Sequence, residues 1–478
     1  MLKKSFISNV QIILLLNILV KPIWIFFIDK NVQLTVGHSE YGLYNALMSL
    51  TIIFNILLDF GMTNYNNKSI AENNSLIKKS LPNLIIAKSI LSFLYFGIVF
   101  LIALLFQYQG RALEILGLLA VVQFFNSFLQ FLRSNISANH DFVLDGVLSV
   151  LDKMIMIGIC GVLLYSSSFK GQFIIEWMIY AQMFAYIIAI LFALYVIIKK
   201  YTVIQFNHFS IKEMIELCKK SIPYAVLILF MGIYMRSDTL LLERLESAAQ
   251  NGLYASANRL LDVANMTGFL FAGILLPMFA RLISNKGNLN EIIIMSANVL
   301  LPVSLGVVAF SFMYSHEIMY WLYKDNSEQL SWIFRMVMAC FPAYCIMYIY
   351  STLLTANGNI KLLIAIAFAG SLLSVGLNWI LISHFQALGA AITAFIVEWI
   401  LAALYIIYCI RKFSLPVNSK WIIQFAIFFL LMYSFNFGLK SISCSLYWSM
   451  ALNVLAFLAM VYGFKFWDKK LLMSYFKQ

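Results

Sequence analysis

Long apolar runs alternate with short polar breaks from one end of the chain to the other. Ile12–Leu19, Leu84–Phe106 and Leu446–Phe464 are near-continuous apolar stretches. They lack the alternation of apolar and polar residues that marks a barrel strand. A helix needs about 20 such residues to cross the hydrocarbon core of a bilayer. Cutting at the polar breaks predicts fourteen transmembrane helices. They cover about 8–29, 41–63, 83–107, 112–132, 143–165, 174–198, 221–242, 253–281, 292–314, 332–355, 362–383, 387–410, 421–439 and 445–467. No connecting segment exceeds roughly 22 residues by this cutting, so no extramembrane domain is expected.

The basic residues orient the spans. With the first span starting inside, 21 of the 33 Lys and Arg fall in cytoplasmic segments, 6 in outer segments and 6 within spans. This bias follows the positive-inside rule and places both termini in the cytoplasm. Composition agrees: 62% hydrophobic residues and 11% charged ones, against about 45–50% and about 25% in soluble domains. The net charge of +12 is accounted for by topology, without a nucleic-acid partner. The first apolar stretch has no small-residue cleavage site after it and is read as a retained helix. Six scattered cysteines without a CxxC pair predict no disulfide framework.

The longest inner segment, Lys199–Lys220, contains a capping box at Ser210-Ile-Lys-Glu213 and an imperfect apolar side. An amphipathic helix lying under the membrane is expected there. Two other short sequences recur. Gly42-Leu-Tyr-Asn-Ala46, opening span 2, returns as Gly252-Leu-Tyr-Ala-Ser256, opening span 8. Ala138-Asn-His-Asp141, before span 5, returns as Ala356-Asn-Gly-Asn359, before span 11. Both pairs occupy equivalent places in two six-span blocks. Because six is even, the blocks share an orientation and form a parallel repeat, one architecture of secondary transporters. The expected fold is an all-α integral membrane protein of about 14 helices, with two six-helix lobes around a central cavity. The lobes would cover 1–198 and 221–412, joined by the linker 199–220, with helices 13 and 14 and a cytoplasmic tail over 413–478.

Further stretches carry a resemblance. They are Glu40-Tyr-Gly-Leu-Tyr44, Leu58-Asp-Phe-Gly-Met62, Ser221-Ile-Pro-Tyr224, Met235-Arg-Ser-Asp238, Asn251-Gly-Leu-Tyr-Ala255 with Ala257-Asn-Arg259, and Leu276-Pro277. Later come Asn378-Trp-Ile-Leu-Ile382 and Ala387-Leu-Gly-Ala-Ala-Ile392. Over roughly residues 1–412 the chain resembles the polysaccharide-flippase branch of the multidrug/oligosaccharidyl-lipid/polysaccharide (MOP) exporter superfamily. The resemblance implies a non-enzymatic transporter of the bacterial plasma (inner) membrane. Its cargo would be an undecaprenyl-pyrophosphate-linked oligosaccharide, moved from inner to outer leaflet for O-antigen, capsule or a similar polysaccharide. A polysaccharide polymerase and a chain-length regulator would then be partners, and a monomer is expected.

Charges inside a bilayer cost about 2.5–3.5 kcal/mol each on insertion scales and are functional candidates by default. The deep cations are Lys21, Lys153, Arg236 and Arg259. Lys88 and Arg335 sit near span ends, where they are expected to snorkel. Guanidinium and ammonium groups suit the oxygens of a pyrophosphate. The competing reading is that Arg236 and Arg259 pair with acids and hold their lobe together. In span 4, Gln123, Asn126 and Gln130 follow one helix face with Ser127, Arg133, Ser134 and Ser137. That face either binds sugar or joins helices. Candidate carboxylates for coupling to an H+ or Na+ gradient are Asp145, Asp152, Asp238, Asp262 and Glu398, the last alone near the middle of span 12. Lys153 follows Asp152 but points about 100° round the helix. Pro22 is expected to kink span 1.

No HExxH, Walker A or GxSxG pattern occurs, so no metal, cofactor, ATP-driven step or serine nucleophile is expected. Three alternatives to the polysaccharide reading stay open: a multidrug cation antiporter of the same superfamily, a peptidoglycan-precursor flippase, and a membrane-embedded glycan enzyme. Deep basic residues weigh against the first, and short loops against the last.

Overall fold

A computed structural model describes residues 17, 19–63, 66–67, 70, 77–139, 141–167, 169, 171–201, 211–416 and 419–467. Side chains of residues 77–80, 142, 211–218 and 220–221 are outside that description, as is most of the linker expected over 199–220. All regular structure among the described residues is helical. A π-helical segment, Trp24–Asp29, leads into α1 (Lys30–Ile53). The following helices are α2 (Ile77–Leu105), α3 (Arg111–Ala138), α4 (Phe142–Tyr165), α5 (Ile175–Lys200), α6 (Ile211–Leu245) and α7 (Ala248–Ser284). Then come α8 (Leu289–Met313), α9 (Ser315–Tyr323), α10 (Glu328–Met338), α11 (Phe341–Ala356), α12 (Ile360–Phe413), α13 (Ser419–Ser441) and α14 (Leu446–Gly463).

Eleven helices among the described residues are long and apolar enough to cross a membrane. They account for spans 3 to 14, because α10 and α11 together form one span and α12 contains two. At 1.5 Å per residue, the 54 residues of α12 would reach roughly 80 Å, far beyond a bilayer. Gln386, with φ 54° and ψ −133°, breaks α12 into two antiparallel arms. The arms press together where Gly389 meets the Leu381 backbone; a Cβ there would lie 2.1 Å from the carbonyl oxygen. The second predicted span corresponds to the later part of α1, which bends at Gly37 (φ 85°). The stretch after Pro22, where a kink is expected, is the π-helical segment, whose turns carry an extra residue.

The helices form two compact units, Met1–Gly252 and Leu253–Gln478. In the first, α5 packs against α3 and α4, and α1 against α3 and α6. Tyr95, Phe131, Leu47 and Leu50 are among its fully buried side chains. In the second, α8 packs against α11 and α13, and α12 lies against α10 and α11. The added helices α13 and α14 join this unit through Phe428, Met432 and Val461 around Ala309, with Phe466 stacked 4.9 Å from Phe425. Large apolar side chains also point outward, Phe93 being 79% and Tyr462 85% exposed. Lipid solvates such faces at no cost, so large apolar residues face outward here as readily as inward.

Candidate functional site

In the first unit charged residues within or beside the spans form three pairs. Lys88 does not snorkel: its side chain is 3% exposed and its Nζ lies 2.5 Å from Asp59 Oδ1. The chain reverses after the 3-10 turn Asn55–Leu58 through Phe60 (φ 47°) and Gly61 (φ 78°), which turns Asp59 inward. Asp59 also accepts from the Thr63 backbone N–H and hydroxyl. Lys88 completes its shell with Ser127 Oγ at 3.1 Å and the Phe131 ring at 5.5 Å. These partners around both charges are what makes a buried ion pair tolerable.

The second pair joins Arg133 Nε to Asp145 Oδ1 at 2.8 Å, linking the end of α3 to the start of α4. The third is Lys153 with Asp152, 3.4 Å apart. Adjacent residues on a helix diverge by about 100°, yet the four-carbon lysine stem bends back far enough to close the gap. Lys153 Nζ also sits 5.3 Å from the Trp24 ring centroid, a cation–π contact with the π segment. Tyr186 and Asp29 lie within its electrostatic reach. Asp29 is buried and accepts from Tyr41 Oη at 3.1 Å. It is absent from the sequence candidates because it falls at the predicted end of span 1. Its spacing of eight from Lys21, about two turns, was the available signal.

Two of the deep cations on described residues of this unit are left over. Lys21 is half-buried, within electrostatic reach of Asp152, Lys153 and Arg133. Arg236, on α6, is also half-buried. Among the described residues neither makes a hydrogen bond or an ion pair. Asp238, two residues from Arg236, is buried and accepts from the Thr239 N–H at 2.7 Å.

The amides of α3 form a ladder along one face. Gln130 Nε2 donates to Asn126 Oδ1 at 3.2 Å, and Asn126 Nδ2 to Gln123 Oε1 at 3.4 Å. Gln123 Nε2 ends it on Met48 Sδ of α1 at 3.4 Å. The ladder runs from buried Gln123 to exposed Gln130. Its buried end joins two helices, and its exposed end keeps free amide donors. At the start of α4, Asp141 caps the helix through Leu144 N–H and meets Lys200 and Tyr201. Burial raises its carboxyl, but Lys200, Tyr201 and that N–H outweigh it and hold the group below its ordinary value.

In the second unit Arg259 is buried, with Tyr323 and Asp262 in electrostatic reach. Asp262 itself is exposed. Glu398 is not alone: Tyr344 Oη donates to its Oε1 at 2.8 Å across α11 and the second arm of α12. Tyr348 and Tyr405 also feel its charge, and Tyr348 feels Asp262 as well. Arg335 donates to Ser315 Oγ at 2.8 Å and stacks 4.5 Å from the Trp332 ring. No group of His, Cys, Asp and Glu among the described residues could hold a metal ion.

Residues 6–283 match the family described as "Polysaccharide biosynthesis protein". No curated protein matches the sequence. Among solved structures, the lipid II flippase MurJ in an inward closed conformation is 15% identical with a TM-score of 0.68, over 96% of this chain and 98% of that one. An inward-facing multidrug resistance MATE family transporter of the MOP superfamily is 16% identical, with a TM-score of 0.62 over 81% of this chain and 98% of its own. A MOP superfamily transporter from Pyrococcus furiosus, described as having reversed polarity in its binding pocket, gives 16%, 0.57, 86% and 96%. At these identities the likeness is one of fold.

Proposed function

From the premise that this chain belongs to the polysaccharide biosynthesis protein family, and that its fold is that of the MOP transporters, we propose that it is a flippase for a polyprenyl-pyrophosphate-linked oligosaccharide. The headgroup crosses the membrane by alternating access, from inner to outer leaflet, while the polyprenyl tail stays in lipid. Both termini lie in the cytoplasm on this reading, and an H+ or Na+ gradient drives the cycle. The observation that carries it is the pair of left-over cations. Lys88, Arg133 and Lys153 of the first unit have carboxylates within 4 Å, whereas Lys21 and Arg236 have none among the described residues. Holding a cation within a span without a carboxylate in contact is costly. An anionic cargo would offset that cost, and pyrophosphate oxygens match both groups. The half-buried amide of Asn126 and the exposed one of Gln130 are suited to sugar hydroxyls.

The likeness to a lipid II flippase keeps a peptidoglycan precursor as a second cargo, since it carries the same pyrophosphate. One experiment separates them. The gene is deleted in its host, and surface glycan and polyprenyl-linked intermediates are measured. Loss of surface glycan with accumulation of linked repeat units on the inner leaflet is expected. Growth arrest with accumulated peptidoglycan precursor selects the second cargo, and unchanged glycan with new sensitivity to cationic drugs overturns both. In the complemented strain Arg236→Ala and Lys21→Ala are each expected to cut export at least about tenfold at normal membrane abundance, as loss of a charge-assisted contact implies.

A further inference from the structure

Asp145 and Asp152, the candidate coupling carboxylates of the first unit's α4, each hold a cation that belongs to the chain itself. Arg133 Nε lies 2.8 Å from Asp145 Oδ1, and Lys153 Nζ lies 3.4 Å from Asp152 Oδ2. Asp152 is only 8% exposed, so its charge needs a partner inside the protein. Lys153 supplies that partner from the next position of the same helix.

The ammonium lies in surroundings that would suit a free cation. Trp24 offers its ring at 5.3 Å, and Asp29 and Tyr186 lie in electrostatic reach. Asp29 is buried and oriented by Tyr41 Oη at 3.1 Å. Trp24 and Asp29 stand five positions apart, at the two ends of the π segment. Backbone bonds in a π-helix span five positions, so its winding brings ring and carboxylate toward the same side. Carboxylate, hydroxyl and ring face are all groups that attract a small cation. What sets Lys153 apart from such an ion is its tether. A gradient does work only through an ion that enters from one side and leaves on the other, and an ammonium on a four-carbon stem does neither. The covalent link also gives it a high effective concentration at the carboxylate, which a free ion must outcompete.

We propose that Lys153 is a built-in counter-ion, which fills a cation site made by Asp152, Asp29, Tyr186 and Trp24 and keeps free cations such as Na+ out of it. With Arg133 holding Asp145 in the same way, neither Asp145 nor Asp152 carries a coupling ion. The part on coupling rests on the reading of the chain as a gradient-driven exporter; the site itself does not.

The test empties the site. The full chain carrying Lys153→Ala is purified in detergent, and its melting temperature is compared with that of the wild type. The salts are NaCl, ethylammonium chloride and N-methyl-D-glucamine chloride at equal strength, the last cation being too bulky for the space a lysine stem leaves. Lys153→Gln, which keeps most of the stem, is run beside it as the gentler variant. Both variants should melt below the wild type in N-methyl-D-glucamine. Na+ or ethylammonium at a hundred times its dissociation constant should return about 3 °C, beyond any response of the wild type. Adding Asp152→Asn to Lys153→Ala should abolish that extra response. No extra response in either Lys153 variant, or one that survives Asp152→Asn, overturns the site. In cells lacking their own copy, export by Lys153→Ala should rise with Na+ in the medium more steeply than wild-type export; equal steepness at normal abundance overturns the part on coupling. The melting response does not depend on the cargo, so its presence without any effect of gene deletion on glycan keeps the site and removes the flippase reading.

Discussion

At the scale of single residues the deep charges fall into two classes, those with partners and those without. Lys88 and Asp59 are 29 positions apart in sequence and 2.5 Å apart in space. Removing one member of such a buried pair strands the other, at about 3–5 kcal/mol. Lys88→Met should therefore lower thermal stability in detergent sharply, while Lys88→Met combined with Asp59→Leu should recover much of the loss. An equal loss in the single and double variants would mean that the two charges are not coupled. The sequence exposes such residues as deep charges but not their partners. The Asp59–Lys88 pairing depends on how the turn at Phe60 and Gly61 aims a carboxylate, which no spacing rule encodes. The Gln123–Asn126–Gln130 ladder is different, because helical spacing alone brings the three amides together.

Helices were legible almost to their ends, since apolar length is a strong signal and polar breaks are few. Two elements escaped. The predicted outer loop after span 9 contains the nine-residue helix α9, too short and too mixed in polarity to register as a periodic segment. The gap between spans 11 and 12 proved to be a single residue in a strained conformation rather than a loop. Gln386 has φ 54° with an extended ψ, a combination that a side chain resists and glycine accepts. Gln386→Gly should stabilise the protein by about 1 kcal/mol, seen as a higher melting temperature with unchanged export. A lower melting temperature would mean that the glutamine side chain contributes more than its backbone costs.

For the whole molecule the repeat was the most informative feature of the sequence, because it pointed to two similar blocks before any contact was known. Orientation rests on the basic residues, and that makes it testable. A reporter that works only outside the membrane should be active when fused after Gln386 and silent after Lys361 or Phe413. Activity at all three points, or the reverse pattern, would invert the direction proposed for transport.

The tight turn of α12 also bears on how the protein is made. Ser383-His-Phe-Gln-Ala387 carries no Lys, Arg, Asp or Glu, whereas Lys361 stands at one open end of the hairpin and Arg411 and Lys412 at the other. During synthesis the tip therefore meets little electrostatic resistance to crossing, while the basic ends are retained. The two arms can enter the bilayer as one paired piece, already packed at Gly389. Their handedness toward the membrane would then be decided by three charges at a single boundary, without help from either neighbour.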